Sequence, residues 1–336
     1  MEGAISKPPY TRRIAVVTGG NKGIGLEVCR QLASDGVTVV LTARDEKRGA
    51  DAVEKLKALG LCDILFHQLE ITDSSSIAAL ADFLKTRFGR LDILVNNAAV
   101  SGVEHVQEVD TNEEKFNGMD LNQRLEWVLK NIRDTVDGAK KSIQTNYYGT
   151  KHVIDTLLPL LQSSNGGRIA NVTSAYGLLR VSFFLPPLVM ESQIPVDQYY
   201  HIQGIFFYAQ RINNEEIRQE LDDIENLTEE RLDELLGKFL KDFEADALEM
   251  HGWPVGLAAY KVAKAAMNAY SRILARRNRA LRINCVHPGY VKTDMSMSSG
   301  VLTPEEGARS VVNVALLPDG GPTGAYFAMG QEASFV

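Results

Sequence analysis

The sequence predicts an α/β protein built on a doubly wound parallel sheet. Three features indicate this class: short apolar runs that recur along the chain, helical segments between them, and a glycine-rich turn directly after the first run. Buried parallel strands read as continuous apolar runs, and the intervening helices supply their crossover connections. We expect about seven strands with helices on both faces of the sheet, in one domain that spans residues 1–336.

The predicted strands and helices alternate in chain order. Apolar runs that predict strands lie at residues 14–17, 37–42, 64–68, 91–95, 168–172, 282–286 and 325–328. Periodic segments that predict helices lie at 26–33, 46–59, 74–87, 138–161 and around residue 260. A last helix is predicted to begin at Thr303-Pro304-Glu305-Glu306, which has the sequence of a capping box.

Two long insertions, residues 102–137 and 178–256, interrupt this alternation. The first has helix-like charge patterns and no predicted strand, whereas the second contains predicted capped helices at 213–221 and 228–243. Insertions of this size are usually lids or extra helices over a site. Within the second, residues 181–210 combine prolines and paired aromatics with few charges, so we interpret them as an accessory insertion or as a translated, unspliced gene segment.

Composition excludes several classes of function. The 336 residues include 43 acidic and 36 basic side chains, and this net charge of -7 argues against nucleic acid or an anionic membrane as the partner. The 3 cysteines and 6 histidines lack metal-type spacing, so no metal site is expected. With no signal peptide and no apolar run of the ~20 residues that a membrane span needs, we expect a cytoplasmic protein.

Tyr260 and Lys264 lie four residues apart in an alanine-rich run that favours a helix. This spacing places both side chains on one helical face. An ammonium within about 4–6 Å stabilises a phenolate, so we expect Lys264 to lower the pKa of Tyr260 and allow proton exchange near neutral pH. An isolated pair would more often be one buried tyrosine beside one exposed lysine, and the interpretation therefore depends on the rest of the chain.

A glycine-rich turn, Thr18-Gly19-Gly20-Asn21-Lys22-Gly23-Ile24-Gly25, lies between the first predicted strand and the first predicted helix. In that context its backbone N–H groups can bind a pyrophosphate. Further motifs follow in order: Asn96-Asn97-Ala98-Ala99, Asn146, Ser174, and then Tyr260 with Lys264. Together they resemble the short-chain dehydrogenase/reductase family over nearly the whole chain, which implies a Rossmann-type fold.

More narrowly, the chain resembles the monomeric plant carbonyl reductases, a group that includes salutaridine reductase and the menthone and neomenthol dehydrogenases. The resemblance lies in Asn21 to Gly25, in 66–69, in 227–231 and in 291–295, and in the long insertion before the tyrosine. Some relatives that reduce a conjugated double bond replace this tyrosine. The intact Tyr260 therefore favours reduction of a carbonyl group.

The resemblance implies specific roles for the motif residues. Tyr260 would donate the proton, Ser174 would steady the carbonyl oxygen, Lys264 would hold the nicotinamide ribose, and Asn146 would anchor a water relay. Residues implied to bind the cofactor are Gly19, Asn21, Lys22, Gly23, Ile24, Gly25, Arg44, Glu70, Ile71, Asn97, Lys264 and Thr293.

The end of the second predicted strand indicates which dinucleotide is bound. Arg44 stands there, and a basic residue at this position suits the 2′-phosphate of NADP, whereas an acidic one suits NAD. NADPH is therefore the predicted cofactor, unless Arg44 merely pairs with Asp45 or Glu46 on the surface. Two residues depart from the family pattern: Glu70 replaces an aspartate, and Ala99 replaces a glycine, which would weaken cofactor binding if that position needs positive φ.

The sequence thus predicts an NADPH-dependent reductase of a hydrophobic ketone or aldehyde, such as a terpenoid or alkaloid. The alternative is an NADP(H)-binding regulatory or scaffold protein with little turnover. A sugar-nucleotide epimerase fits less well, because that group spaces its glycines differently. We expect a monomer without nucleic-acid or membrane partners, because family dimers often pair through the tyrosine helix, where an insertion would block pairing.

Overall fold

The fold centres on an eight-stranded sheet. The computed structural model describes residues 12–106, 112–179 and 211–335. The strands of the sheet are β1 (Ile14–Val17), β2 (Thr38–Ala43), β3 (Ile64–Gln68), β4 (Ile93–Asn96), β7 (Arg168–Val172), β8 (Arg282–His287), β9 (Tyr326–Ala328) and β10 (Gln331–Ala333). A separate hairpin pairs β5 (Val103–His105) with β6 (Ile132–Asp134).

The strand order, β3-β2-β1-β4-β7-β8-β9-β10, confirms the doubly wound sheet. All neighbouring pairs are parallel except β9 with β10, which is antiparallel. The chain moves outward from β1 in both directions, so the crossovers diverge between β1 and β4 at the carboxyl ends of the strands. Ligands of such sheets bind in the crevice at this point.

Helices cover both faces of the sheet. They are α1 (Gly23–Ser34), α2 (Glu46–Ala58), α3 (Ser74–Phe88), α4 (Leu121–Asn131), α5 (Val136–Ile143), α6 (Thr150–Gln162), α7 (Glu215–Asp222), α8 (Glu229–Glu244), α9 (Ala258–Arg277) and α10 (Pro304–Ala315). Strand residues alternate between two cores: Ile14 and Val16 pack on the side of α3, α6 and α9, whereas Ala15 and Val17 pack on the side of α1, α2 and α10.

Local capping signals specify several helix starts as predicted. The Thr303 hydroxyl accepts from the backbone of Glu306 at 3.2 Å, and the Glu306 carboxylate accepts from the Thr303 backbone at 2.8 Å, which completes the capping box of α10. Thr228 likewise accepts from Arg231 at the start of α8. These helices begin where a side-chain oxygen satisfies a free N–H group.

The structure adds two details to the predicted fold. Beside the seven predicted strands the sheet has an eighth, β10, because the chain turns back at Gly330, where φ is +87°. The first insertion contains the β5–β6 hairpin where no strand was expected, because strands of three residues each, half of them exposed, carry no alternating pattern. Both details concern pairing over a few residues, which local periodicity does not reveal.

Residues 181–210, interpreted above as an accessory or unspliced segment, lie outside the described residues. In the part of the chain that is described, no helix has both the length and the apolar character needed to cross a bilayer. The same ranges contain no group of three or more histidine, cysteine, aspartate or glutamate side chains arranged to hold a metal ion.

Candidate active site

Several of the predicted site residues come together because they follow the carboxyl ends of parallel strands. Thr18 follows β1, Arg44 follows β2, Asn97 follows β4 and Ser174 lies just beyond β7. Since parallel strands end at one edge of a sheet, these side chains share that edge. Thr293 follows β8 and lies over the glycine turn, with its Cγ2 3.4 Å from the position of a Cβ added to Gly23.

The glycine turn has an open space beside its backbone, which side chains at the glycine positions would fill. Gly19 and Gly23 have φ of +64° and +55°, which other L-residues rarely adopt. A Cβ on Gly25 would lie 2.3 Å from the Gly19 carbonyl oxygen. The Asn97 amide donates to the carbonyls of Thr18 and Gly19 at 3.0 and 3.1 Å, which fixes the turn against the end of β4. The backbone of this turn, at the start of α1, therefore fits a dinucleotide pyrophosphate.

Arg44 is open to solvent at the end of β2. Its side chain is 73% exposed and its guanidinium lies 3.7 Å from the Glu70 carboxylate. The expected competitor, Asp45, instead accepts from the backbone of Arg48 and caps α2. The carboxylate that Arg44 pairs with is therefore Glu70, across the end of the sheet, and this long, exposed pair is weak enough for the guanidinium fork to exchange it for a phosphate.

Glu70 and Ala99, the two residues that depart from the family pattern, both fit their surroundings in the structure. Glu70 accepts hydrogen bonds from the Thr72 backbone and hydroxyl at 3.1 and 2.9 Å, so it shapes the turn after β3. Ile71, beside it, is buried against the helix at Gly149. Ala99 does not have positive φ, so its methyl group causes no backbone strain there.

Lys22 reaches across the cleft from the glycine turn. Its ammonium pairs with Asp294, in the loop after β8, and both side chains are largely exposed. Surface pairs of this kind contribute little energy, so Lys22 can exchange its partner for a phosphate. Asn21 and Ile24, the other predicted contacts in the turn, are partly buried beside it.

Tyr260, Lys264 and Ser174 form one cluster where α9 meets the end of β7. A side-chain hydrogen bond joins Tyr260 to Ser174. The Lys264 ammonium lies 5.6 Å from the centre of the Tyr260 ring and donates to the Val172 carbonyl at 2.7 Å. The helical spacing predicted from the sequence thus places the phenol, the hydroxyl and the ammonium side by side.

The expected lowering of the Tyr260 pKa by Lys264 is wrong for this structure. Burial raises the pKa of Tyr260 to about 12, and only the hydrogen bond from Ser174 opposes the shift. Burial also lowers the pKa of Lys264 to about 8, and one of its donors is committed to Val172. The phenol is therefore protonated at neutral pH, which is the form that donates a proton.

Asn146 lies in a π-helical turn, Gln144–Gly149, between α5 and α6. Its side chain accepts from the Val100 backbone N–H at 2.9 Å and donates to the Val100 carbonyl at 2.8 Å and to Ser142 at 3.0 Å. Such turns are frequent at functional sites. Within the described chain its hydrogen bonds tie the loop after β4 to this helix, and none goes directly to Lys264.

A buried polar network that motif reading missed attaches α9 to the sheet. Asn171 donates to Ser271 at 2.8 Å, and Thr173 donates to the Asn268 oxygen at 2.8 Å. Asn268 also donates to the Gly177 carbonyl at 3.0 Å. The sequence carries two signals of this network: alternate polar residues at 171 and 173, at the end of β7, and polar residues at 268 and 271 in an otherwise alanine-rich helix.

Comparison with known proteins agrees with this geometry. A model of the family described as short chain dehydrogenase matches residues 13–186, and one described as enoyl-(acyl carrier protein) reductase matches residues 248–320. Short-chain dehydrogenase/reductase 1 of Saponaria officinalis is 44% identical, covering 96% of each chain. The (+)-neomenthol dehydrogenase of Capsicum annuum is 43% identical, covering 94% of this chain and 95% of its own. The structure of salutaridine reductase from Papaver somniferum superimposes with a TM-score of 0.77 and 40% identity, covering 94% of this chain and 99% of that one.

Proposed function

We propose that this chain, which belongs to the short-chain dehydrogenase family, uses NADPH to reduce an apolar ketone or aldehyde to an alcohol. The observation that carries the proposal is the cluster of Tyr260, Ser174 and Lys264 at the carboxyl end of β7. The relatives reported above include enzymes named for a terpenoid alcohol and an alkaloid. A terpenoid or alkaloid carbonyl compound is therefore the proposed substrate class.

The residues present fit a nicotinamide dinucleotide. The backbone of Gly19 to Gly25 would hold the pyrophosphate, Arg44 the 2′-phosphate, and Lys264 the ribose next to the nicotinamide. When bound, the reduced nicotinamide supplies a hydride. Thr293 would contact the carboxamide, since its loop lies against the glycine turn.

The chain's own residues supply the proton and the hydrogen bonds. The protonated Tyr260 donates its hydroxyl hydrogen to the carbonyl oxygen as negative charge develops there. The Ser174 hydroxyl donates a second hydrogen bond to the same oxygen, a contribution of about 3 kcal/mol for comparable donors. Burial of both groups strengthens these bonds, because the surroundings screen them less than water does.

The test of the function is a panel of carbonyl compounds, including cyclic monoterpene ketones, assayed with NADPH and with NADH. We expect consumption of NADPH that depends on the carbonyl compound. Tight NADPH binding without turnover of any member would instead favour the regulatory protein.

Replacing Arg44 tests the cofactor assignment. The Arg44→Asp variant should reverse the preference to NADH, because a carboxylate repels the 2′-phosphate and accepts from the ribose hydroxyl. Unchanged NADPH affinity in Arg44→Ala would contradict the role of the guanidinium. We further propose that the protein acts in the cytoplasm, where its three cysteines, which form no disulfide with one another, would stay reduced.

A further inference from the structure

The N-terminal end of α9 lacks a cap from its own residues. The helix begins after Leu257, which has left-handed backbone geometry with φ of 55° and makes no side-chain capping bond. The first N–H groups of a helix have no partner within it and need an acceptor from elsewhere. Tyr260 is the third residue of α9, so the position of this turn sets the position of the phenol.

Asp134, the last residue of β6, supplies the missing acceptor. Its Oδ2 accepts from the Ala258 backbone N–H at 3.3 Å, across 124 residues of sequence. The N–H of Leu257 also faces this carboxylate and lowers its pKa. The antiparallel pairing of β6 with β5 places Asp134 opposite Val103, so the hairpin of the first insertion carries the cap.

A buried cation completes this arrangement. Lys261 is only 4% exposed, donates to the Val255 carbonyl at 3.0 Å, and attracts the Asp134 carboxylate. The carboxylate therefore meets two N–H groups, the positive end of the helix and an ammonium. Burial raises the pKa of Asp134 above its ordinary value, and the Ala258 N–H group and the Lys261 charge oppose this rise.

We propose that Asp134 is a positioning residue for the reaction, which fixes the first turn of α9 and thereby the place of the Tyr260 side chain. The proposal rests on the proposed function, in which Tyr260 donates the proton. A carboxylate at a helix N-terminus accepts from the free N–H groups there and is favoured by the positive end of the helix. Asp134 thus acts on Tyr260 through the backbone of α9.

Substitution of Asp134 would leave unchanged the other titratable and charged groups that face Asp134 and Tyr260. Lys261 faces Asp134 from α9. The groups that face Tyr260, from the loop after β7, from α9 and from β9, are Ser174, Tyr176, Lys264 and Tyr326.

The Asp134→Asn variant separates the charge from the hydrogen bond, because the amide oxygen still accepts from Ala258. The measurement is kcat for carbonyl reduction, compared with that of Asp134→Ala. We expect Asp134→Asn to keep kcat within about threefold of the wild type, because asparagine caps a helix about as well as aspartate does. A loss of kcat as large as that of Asp134→Ala overturns the assignment of the effect to this hydrogen bond.

Glu104→Gln is the matched control within the same hairpin. The Glu104 carboxylate pairs with Arg133 at the surface, at 2.8 Å, and does not reach α9. Loss of this charge should leave kcat unchanged. A loss of kcat as large as that of Asp134→Ala would mean that any change to the hairpin disturbs the reaction, and would overturn the assignment to Asp134.

The Asp134→Ala variant tests the cap without relying on turnover. Amide hydrogen exchange in the first turn of α9 should become faster in the protein without cofactor, since Ala258 loses its acceptor. In the active enzyme kcat should fall about tenfold or more with an unchanged KM for NADPH. Exchange equal to wild type, or unchanged kcat, overturns the proposal. A wild type that reduces no carbonyl compound refutes the proposed function instead, and the exchange measurement still decides the cap.

Discussion

The two insertions of this chain contact the same helix, α9, at different places and by different chemistry. The first meets its N-terminal turn, where a partly buried carboxylate, Asp134, accepts from Ala258. The helices of the second meet the exposed C-terminal end, where Arg277 pairs with Glu229, and its last residues return to the first turns of α9, where Val255 accepts from Lys261. An insertion that touches the turn bearing Tyr260 can act on the chemistry. One that covers the far end acts on stability and on the surface available for association.

The first insertion also holds the loop that follows β8. The Arg124 guanidinium donates to the Phe116 carbonyl at 2.8 Å within the insertion, and to the carbonyls of Ser299 and Gly300 at 3.3 and 3.0 Å in that loop. The loop runs on from Thr293, a proposed nicotinamide contact. The first insertion therefore contacts two walls of the candidate site, whereas the described part of the second packs its apolar side chains behind α9.

The largest expected effect is a loss of stability without a loss of activity, at a buried residue of the second insertion. Phe239 of α8 is fully buried and packs edge-on against Trp253, with ring centres 5.3 Å apart. The Phe239→Ala variant should lose about 3–5 kcal/mol of unfolding free energy, measured with urea, while the folded enzyme keeps its kcat. Lys238→Ala, at an exposed neighbour on α8, is the control. A large loss of kcat in well-folded Phe239→Ala would remove the distinction between the insertions.

Lys261→Met should reveal a pH dependence of stability that is specific to the N-terminal part of α9, where Lys261 lies between Asp134 of the first insertion and Val255 at the end of the second. Burial lowers the pKa of Lys261 from 10.5 to about 8. Between these pH values residue 261 binds more protons in the unfolded chain than in the folded one. The stability that the folded protein gains when Lys261 is neutral is therefore complete above pH 10.5 and is lost as the pH falls to about 8. At 1.36 kcal/mol per pKa unit the change is about 3 kcal/mol.

The measurement compares urea unfolding at the two ends of this pH range. The wild type should gain more stability with rising pH than Lys261→Met. Arg277→Gln, at the surface contact of the second insertion, should behave like the wild type. Equal gains in wild type and Lys261→Met would show that this buried ammonium is not destabilised.

The smallest effect is expected at the ion pair between Arg277 and Glu229. Both Arg277→Ala and the wild type should be monomers of 37.1 kDa by light scattering, because α7 and α8 still cover α9. The variant should lose no more than about 1 kcal/mol. A wild-type dimer would contradict the view that the second insertion blocks association.

The features that the sequence predicted are those encoded by neighbouring residues. The glycine turn, the caps at Thr228 and Thr303, and the spacing of Tyr260 and Lys264 each need only a few consecutive positions. The β5–β6 hairpin and the cap from Asp134 were missed, because each depends on contacts between distant segments.

The electrostatics of the candidate site were harder to predict than its composition. The four-residue spacing indicated a neighbour for Tyr260 but not the depth of burial, which raises the pKa of the phenol to about 12. Nor did it indicate that the Val172 carbonyl accepts from Lys264. Burial and competing hydrogen-bond partners are properties of the packed structure. A sequence motif therefore predicts which side chains lie in the site but does not predict their protonation states.

The central claim is that Tyr260 donates the proton, and Tyr260→Phe tests it most directly. The variant keeps the ring and removes only the hydroxyl. Fluorescence titration should give NADPH affinity equal to wild type, while kcat for carbonyl reduction falls by about 10³-fold, within the range for loss of a general acid. Turnover within about tenfold of the wild type, at equal cofactor affinity, would contradict the account.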